Sequence, residues 1–242
     1  MSNDYRESHR GEGFGSHYET TLQFAWQRAL LKMERAFLGK LLEARRPVLA
    51  LDFACGTGRV LEFVAGRVER CWGVDISPDM LEVCRTKVPD SATIVCGDLT
   101  RDPDLVDRSL RFDLITAFRF FPNAQEGLRD EVMGELTGRL APDGILVFNN
   151  HRNAGSMLYS IARMLRRPDM RGMSRTEARD LIRRFGLEVV EKRCFGVLPA
   201  WNRWTLAPAW LHRLTDGFVS AIGLGERLAQ DVAYVCRLKK TS

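Results

Sequence analysis

Apolar residues recur every three or four positions from Glu19 to Ala44. Leu22, Trp26, Ala29, Met33, Phe37 and Leu41 form a single stripe, which predicts one amphipathic helix. Pro47 closes it, because the residue before a proline is pushed out of helical geometry. Beyond Pro47 the pattern alternates. "VLALDFA" (48–54), "CWGVDI" (71–76), "ATIVCGD" (92–98), "RFDLITAF" (111–118) and "ILVFNN" (145–150) are short, continuous apolar runs and read as buried strands. Between them lie segments with helical spacing: "GRVLEFVAGRV" (58–68), "SPDMLEVCRTK" (77–87) and "AQEGLRDEVMGELTGRL" (124–140). Ser77 stands at an N-cap and Pro78 at the first helical position. "APDG" (141–144) predicts a turn. Strands alternating with helices of about a dozen residues predict βαβ units and a parallel sheet covered on both faces.

The last third is less regular. "SMLYSIARMLRR" (156–167) predicts a helix with a basic face. Ser174 and Glu177 make a capping box ahead of "ARDLIRRF" (178–185), and Gly186 ends that helix. "LEVVEKRCF" (187–195) and "DVAYVCRLKK" (231–240) read as strands, with short helices expected across 196–230. Residues 1–45 are therefore expected to form a tail and a lid helix. Residues 46–242 are expected to form one α/β domain with helical insertions at about 152–172 and 196–230.

Composition narrows the function. A length of 242 residues suits one α/β domain with decorations. The formal charge of +5 permits an anionic partner without demanding one. The polar N-terminus does not read as a signal peptide, and no apolar run approaches the roughly 20 residues of a bilayer span. The six cysteines form no CxxC pair, and the four histidines are scattered. The expectation is a reduced, cytoplasmic protein without a metal site.

The chemistry concentrates in "DFACGTGR". In a doubly wound sheet, ligands bind beyond the carboxyl ends of the strands, where the first βα turn lies. Gly56 and Gly58 let the chain bend there and let a ligand approach the backbone. Arg59-Val60 fails the Walker A pattern, and Leu61 replaces the third glycine of a dinucleotide fingerprint. Asp75 ends the second strand, placed to accept ribose hydroxyls. Met80 can lie against a base, and Asp98 at the end of the third strand can accept from an exocyclic amine. An acid, an apolar plate and a second acid on successive strands describe an adenosine without a diphosphate.

This combination resembles the class I S-adenosylmethionine-dependent methyltransferases. "LDFACGTGR", "GVDISPDML", "CGDL", "FDLITAF" and "LAPDGILVF" follow that family's motifs in order over residues 46–150. The resemblance implies a Rossmann-like, doubly wound seven-stranded sheet of order 3-2-1-4-5-7-6 with the last strand antiparallel, and S-adenosylmethionine as cofactor. By position, Asp52 would order the amino end of the methionine moiety. Ala54, Gly56 and Gly58 would wrap the cofactor, Asp75 would hold the ribose and Asp98 the adenine, with Met80, Leu99 and Ala117 completing the cofactor set. Ala54 departs from the glycine frequent in the family.

Methyl transfer would face the ends of the fourth and fifth strands. Arg119 and Asn123 interrupt an aromatic cluster there, a mixture that suits an anionic or hydroxylated acceptor. His151 emerges at the fifth strand tip, where an imidazole suits a general base. Asn149, Asn150 and Arg152 are candidates for positioning substrate, and Tyr18 for a lid over the site. The expected acceptor is the oxygen or nitrogen of a small molecule such as a sugar, a glycan or a lipid-linked intermediate. The alternatives are an RNA methyltransferase and a non-catalytic cofactor-binding protein. "AFRFFPN" lacks the acid- or amide-Pro-Pro-aromatic box of base-amine methylation, which disfavours nucleic acid. Residues 195–211 hold three of the five tryptophans and suit an acceptor wall, a dimer contact or a peripheral contact with the inner membrane face.

Overall fold

The computed structural model describes residues 5–6, 14–157, 160, 172–198, 200–201, 204–205 and 207–240. Two helices, α1 (Phe14–Leu22) and α2 (Ala25–Arg45), precede β1 (Leu49–Phe53). The chain continues through α3 (Leu61–Ala65), β2 (Arg70–Asp75), α4 (Pro78–Arg85), β3 (Ala92–Cys96), β4 (Phe112–Ala117), α5 (Glu126–Gly138) and β5 (Leu140–Asn150). After these come α6 (Arg175–Arg184), β6 (Leu187–Phe195), a hairpin of β7 (Ala200–Trp201) and β8 (Trp204–Thr205), α7 (Ala209–Ala221), α8 (Gly225–Leu228) and β9 (Asp231–Leu238).

The main sheet runs β3-β2-β1-β4-β5-β9-β6. Setting the hairpin aside, this is the expected order 3-2-1-4-5-7-6. β3, β2, β1, β4 and β5 pair in parallel, and β9 runs antiparallel to both β5 and β6. Because β9 is reversed, its first residue, Asp231, lies beside the carboxyl end of β5, where Asn150 is opposite Val232.

Strand alternation sends neighbouring residues into two separate cores. Leu51, Ile115, Leu146, Phe148 and Tyr234 pack with α5 and α6. Ala50, Leu114, Ile145, Val147 and Val235 pack with α2, α3 and α4. The α2 stripe is buried as the spacing predicts: Trp26, Met33, Phe37 and Leu41 all face the second core. The Ser77 hydroxyl accepts from the Met80 N–H at 3.4 Å. Both halves of the Ser174–Glu177 capping box are formed.

Four elements differ from the sequence reading. The single helix at 19–44 is two helices, because Phe24 is extended (φ −65°, ψ 146°). α3 is confined to Leu61–Ala65, since the preceding residues are committed to a turn with positive φ at Gly56 and Gly58. Residues 141–144 are not a turn before a strand. β5 begins at Leu140, and its ladder to β4 jumps from Phe112–Leu140 to Leu114–Ile145, so those residues bulge out within one continuous strand. The segment 196–230 contains the β7–β8 hairpin as well as helices. The helix expected at 156–167 lies largely outside the described residues.

Candidate active site at the carboxyl ends of the strands

The turn after β1 has positive φ at Ala54 (53°), Gly56 (54°) and Gly58 (80°). Alternation of hand along 54–58 curls the backbone into a concavity, the geometry of an anion- or ligand-binding nest. A Cβ at Gly58 would stand 2.8 Å from the Cys84 Sγ, whereas one at Gly56 would meet nothing within 4 Å. Gly58 is thus demanded by helix packing, and Gly56 leaves its backbone facing open space. Asp75 clamps this turn to β2. Its Oδ2 accepts from the Gly56 N–H at 2.8 Å and its Oδ1 from the Ser77 N–H at 2.9 Å.

Asp52 lies under the same turn. It is almost fully buried, and its Oδ1 accepts from the Thr116 hydroxyl at 2.7 Å. Its Oδ2 has no protein hydrogen-bond partner among the described residues. Burial pushes this carboxyl up to about 7, against the opposing pull of Thr116 and Arg59. An unpartnered, buried carboxylate oxygen beside an open backbone turn fits a ligand cation such as a primary ammonium.

At the far end of the crevice, Asp98 has other company. Its Oδ1 accepts from the Thr100 N–H and hydroxyl (3.0 and 2.7 Å), and its Oδ2 from Arg6 Nε at 2.6 Å. Arg6 also donates to Thr100 Oγ1 and to Glu131 Oε2. Burial would raise Asp98, but the Thr100 and Arg6 contacts outweigh it and hold the carboxyl below its ordinary range. Arg6 and Tyr5 therefore strap the N-terminal chain across the crevice. The Tyr5 ring packs edge-on against Phe120 at 5.5 Å, and its hydroxyl hydrogen-bonds the Asn123 side chain and lies near Asp75.

Beyond Asp52 a buried polar cluster spans the ends of β4, β5 and β9. Arg119 has a left-handed backbone (φ 61°). Its N–H donates to Asn149 Oδ1 at 2.6 Å, and Asn149 Nδ2 donates to Asp231 Oδ2 at 2.9 Å. The Arg119 guanidinium donates to the Tyr18 hydroxyl at 3.2 Å and to Gln27 Oε1 at 2.5 Å, and its Nε is buried without a partner among the described residues. Asn123 Nδ2 donates to the Arg119 carbonyl at 2.6 Å. Arg59 is buried against Glu34 of α2 in an ion pair. Burial pushes Asp231 up to about 7, with Glu34 adding to the effect, and its Oδ1 lacks a partner among the described residues. Burial raises the Tyr18 phenol, but Arg119 and Arg59 more than offset it and leave it below its ordinary value.

The expected residues thus divide. Asp52, Ala54, Gly56, Gly58 and Asp75 gather on one turn, with Met80 buried beneath it at the start of α4. Arg119, Asn123 and Tyr18 meet in the polar cluster. His151 lies beside it with Arg152; burial first, then Arg152, Arg119 and Arg59, lower its pKa well below the usual value, and its Nδ1 has no partner among the described residues. These effects favour the neutral imidazole. Leu99 and Ala117 correct the expectation: both are wholly buried in the core under the sheet end and present no surface to the crevice. Asn150 is also fully buried, which keeps it from the surface of the crevice; its Nδ2 donates to the Met173 carbonyl at 2.7 Å and its Oδ1 has no partner among the described residues. Sequence reasoning missed Arg6, Glu34, Arg59 and Asp231. The available signal was an acid within the apolar stripe of α2 and another opening the apolar run of β9.

Residues 50–144 match the family model described as a methyltransferase domain. No curated protein matches the chain. Among solved structures, the chain is similar to magnesium protoporphyrin IX methyltransferase from Synechocystis PCC 6803 with bound S-adenosylhomocysteine. The TM-score is 0.67 at 11% identity, covering 97% of this chain and 98% of that one. It is also similar to the N-methyltransferase NodS from Bradyrhizobium japonicum WM9 in complex with S-adenosyl-L-homocysteine (TM-score 0.59, 18% identity, 88% and 87% covered). A SAM-dependent methyltransferase from Archaeoglobus fulgidus gives a TM-score of 0.59 at 17% identity, with 85% and 93% covered. Residues 50–144 thus match a methyltransferase domain, and the sheet around them has the fold of these S-adenosylmethionine-dependent methyltransferases.

Proposed function

We propose that this protein methylates an oxygen or nitrogen of a small, anionic or hydroxylated molecule held by the cluster around Arg119. The residues present fit the cofactor. The unpartnered Asp52 Oδ2 suits its ammonium, the open Gly56 backbone its approach, and Asp75 its ribose. When bound, S-adenosylmethionine supplies an electrophilic methyl on sulfur. The chain's own residues position the acceptor and keep out water.

One observation carries the acceptor reading: the Arg119 guanidinium is fixed by Tyr18 and Gln27 while its Nε stays buried and unpaired. That donor suits a phosphate, carboxylate or hydroxyl. Neutral His151 accepts from the acceptor's O–H or N–H and orients its lone pair. Surrounded by Arg152, Arg119 and Arg59, it does not keep the proton. Asp231, held near 7, takes the proton instead.

The test is incubation of the protein with labelled-methyl S-adenosylmethionine and a metabolite extract, fractionated by size. Label in the small-molecule fraction, reduced at least tenfold by Arg119→Gln, supports the reading. Label confined to RNA, or turnover indifferent to Arg119→Gln, overturns it.

A further inference from the structure

Helix α7 is anchored by one face only. The buried His212 packs against Trp26 at 4.9 Å and shares a 2.7 Å hydrogen bond with the Thr205 hydroxyl. Asp216 accepts from the N–H groups of Gly196 and Val197. These residues stand at helical spacing and turn the opposite side outward. On that side Trp210, Leu214, Phe218 and Ile222 recur every fourth residue, and Leu224 follows. All five are between 39% and 67% exposed. The first four extend over about 18 Å at the usual helical rise. Singly exposed apolar residues need no explanation, but a contiguous stripe of this length does.

Charge identifies the occupant. The only carboxylates between 209 and 228 are Asp216 and Glu226, and both are turned inward. Asp216 holds the backbone at 196–197, and Glu226 pairs with Arg179 and Lys192. The only cations there, Arg213 and Arg227, are exposed. The outward surface of 209–228 is therefore apolar and cationic, without an exposed carboxylate of its own. A two-fold contact with a second copy would set this same unneutralised positive surface against itself. An anionic bilayer surface complements both features: acyl chains take the Trp-Leu-Phe-Ile stripe, and acidic headgroups take the arginines.

We infer that α7 and the turn after it form a peripheral docking surface for an anionic lipid bilayer. This inference is independent of the acceptor reading, since none of its residues lies in the polar cluster. The helix nonetheless sits close to the site: Trp26, against which His212 packs, immediately precedes Gln27, the partner of Arg119.

The test is co-sedimentation of the full chain with vesicles of phosphatidylcholine alone, or containing about 30% phosphatidylglycerol, at low and high salt. Expected is binding to the anionic vesicles only, weakened by salt and reduced roughly tenfold or more by the pair L214Q/F218Q and by R213Q/R227Q. Thermal melting of each variant serves as the control for folding, and these exposed substitutions are expected to leave it unchanged. Absence of binding, or equal binding by folded variants, overturns the proposal. So does a dimer in analytical ultracentrifugation that L214Q/F218Q dissolves while vesicles bind nothing, because the stripe is then a contact between copies.

Discussion

Asn149 holds the backbone of Arg119 in a left-handed turn: its Oδ1 accepts from the Arg119 N–H at 2.6 Å while its Nδ2 reaches the Asp231 carboxyl at 2.9 Å. A non-glycine residue at φ 61° costs of the order of 1 kcal/mol, and this buried amide offsets it. Asn149→Ala leaves an N–H and a carboxylate oxygen unpaired. The expected loss is about 2–4 kcal/mol in urea unfolding, with S-adenosylhomocysteine affinity largely kept and acceptor turnover reduced. An unchanged unfolding midpoint would show that the turn holds itself.

The pH dependence of cofactor-product binding follows from Asp52. Burial keeps its carboxyl near 7 in the free protein, and an ammonium partner favours the ionised form. Binding then releases a proton below pH 7. Affinity for S-adenosylhomocysteine should rise about tenfold per unit up to pH 7 and level off above it. Calorimetry in buffers of different ionisation enthalpy measures this directly. Asp52→Asn should bind more weakly at pH 8 and show no slope; a wild-type affinity that is flat from pH 5.5 to 8 would sink the assignment.

Arg6 reaches from the N-terminal segment to Asp98, Thr100 and Glu131, closing the crevice end opposite the polar cluster. The Arg6 partners Asp98, Thr100 and Glu131 all lie at the crevice end, so loss of the guanidinium should matter more for residence than for folding. Arg6→Ala is expected to speed S-adenosylhomocysteine dissociation several-fold in stopped-flow measurements and to change the melting temperature little. Glu131→Ala, which removes an exposed partner, should have a smaller effect in the same direction. Equal dissociation rates in wild type and Arg6→Ala would exclude a covering role.

Much of this architecture is legible locally. "VLALDF" and "DLITA" are apolar on both faces, as buried parallel strands require, and the Ser77 and Ser174 caps carry their own signals. The break between α1 and α2 escapes notice because Leu22 and Trp26 are four apart, so the stripe keeps its phase across the extended Phe24. The β5 bulge at 141–144 escapes because Ala-Pro-Asp-Gly has turn chemistry whether the chain leaves the sheet or merely buckles. The site divides the same way. Gly56, Gly58 and Asp75 sit on one turn and one strand end, within 19 residues of each other. Arg6 meets Asp98 across 92 residues, and Asn149 meets Asp231 across 82. Contacts at such separation are set by sheet order and by where β9 begins, and leave no periodic trace.

Asp231 gives two linked expectations. With burial holding it near 7, the proton-accepting carboxylate forms as pH rises through that value. The rate of methyl transfer should therefore climb from pH 6 to 8. His151 should add no limb in this window, because its imidazole is already neutral. Asp231→Asn should lower kcat by about 10²-fold and flatten the limb, whereas His151→Ala should lower kcat and leave the limb in place. Stability moves the other way. An aspartate whose folded pKa lies above its unfolded value of about 3.9 binds protons better folded than unfolded, so it subtracts stability as pH rises from about 4 to 7. Asp231→Asn removes that contribution. Its melting temperature relative to wild type should therefore be higher at pH 8 than at pH 5, and a difference independent of pH would place the titrating group elsewhere.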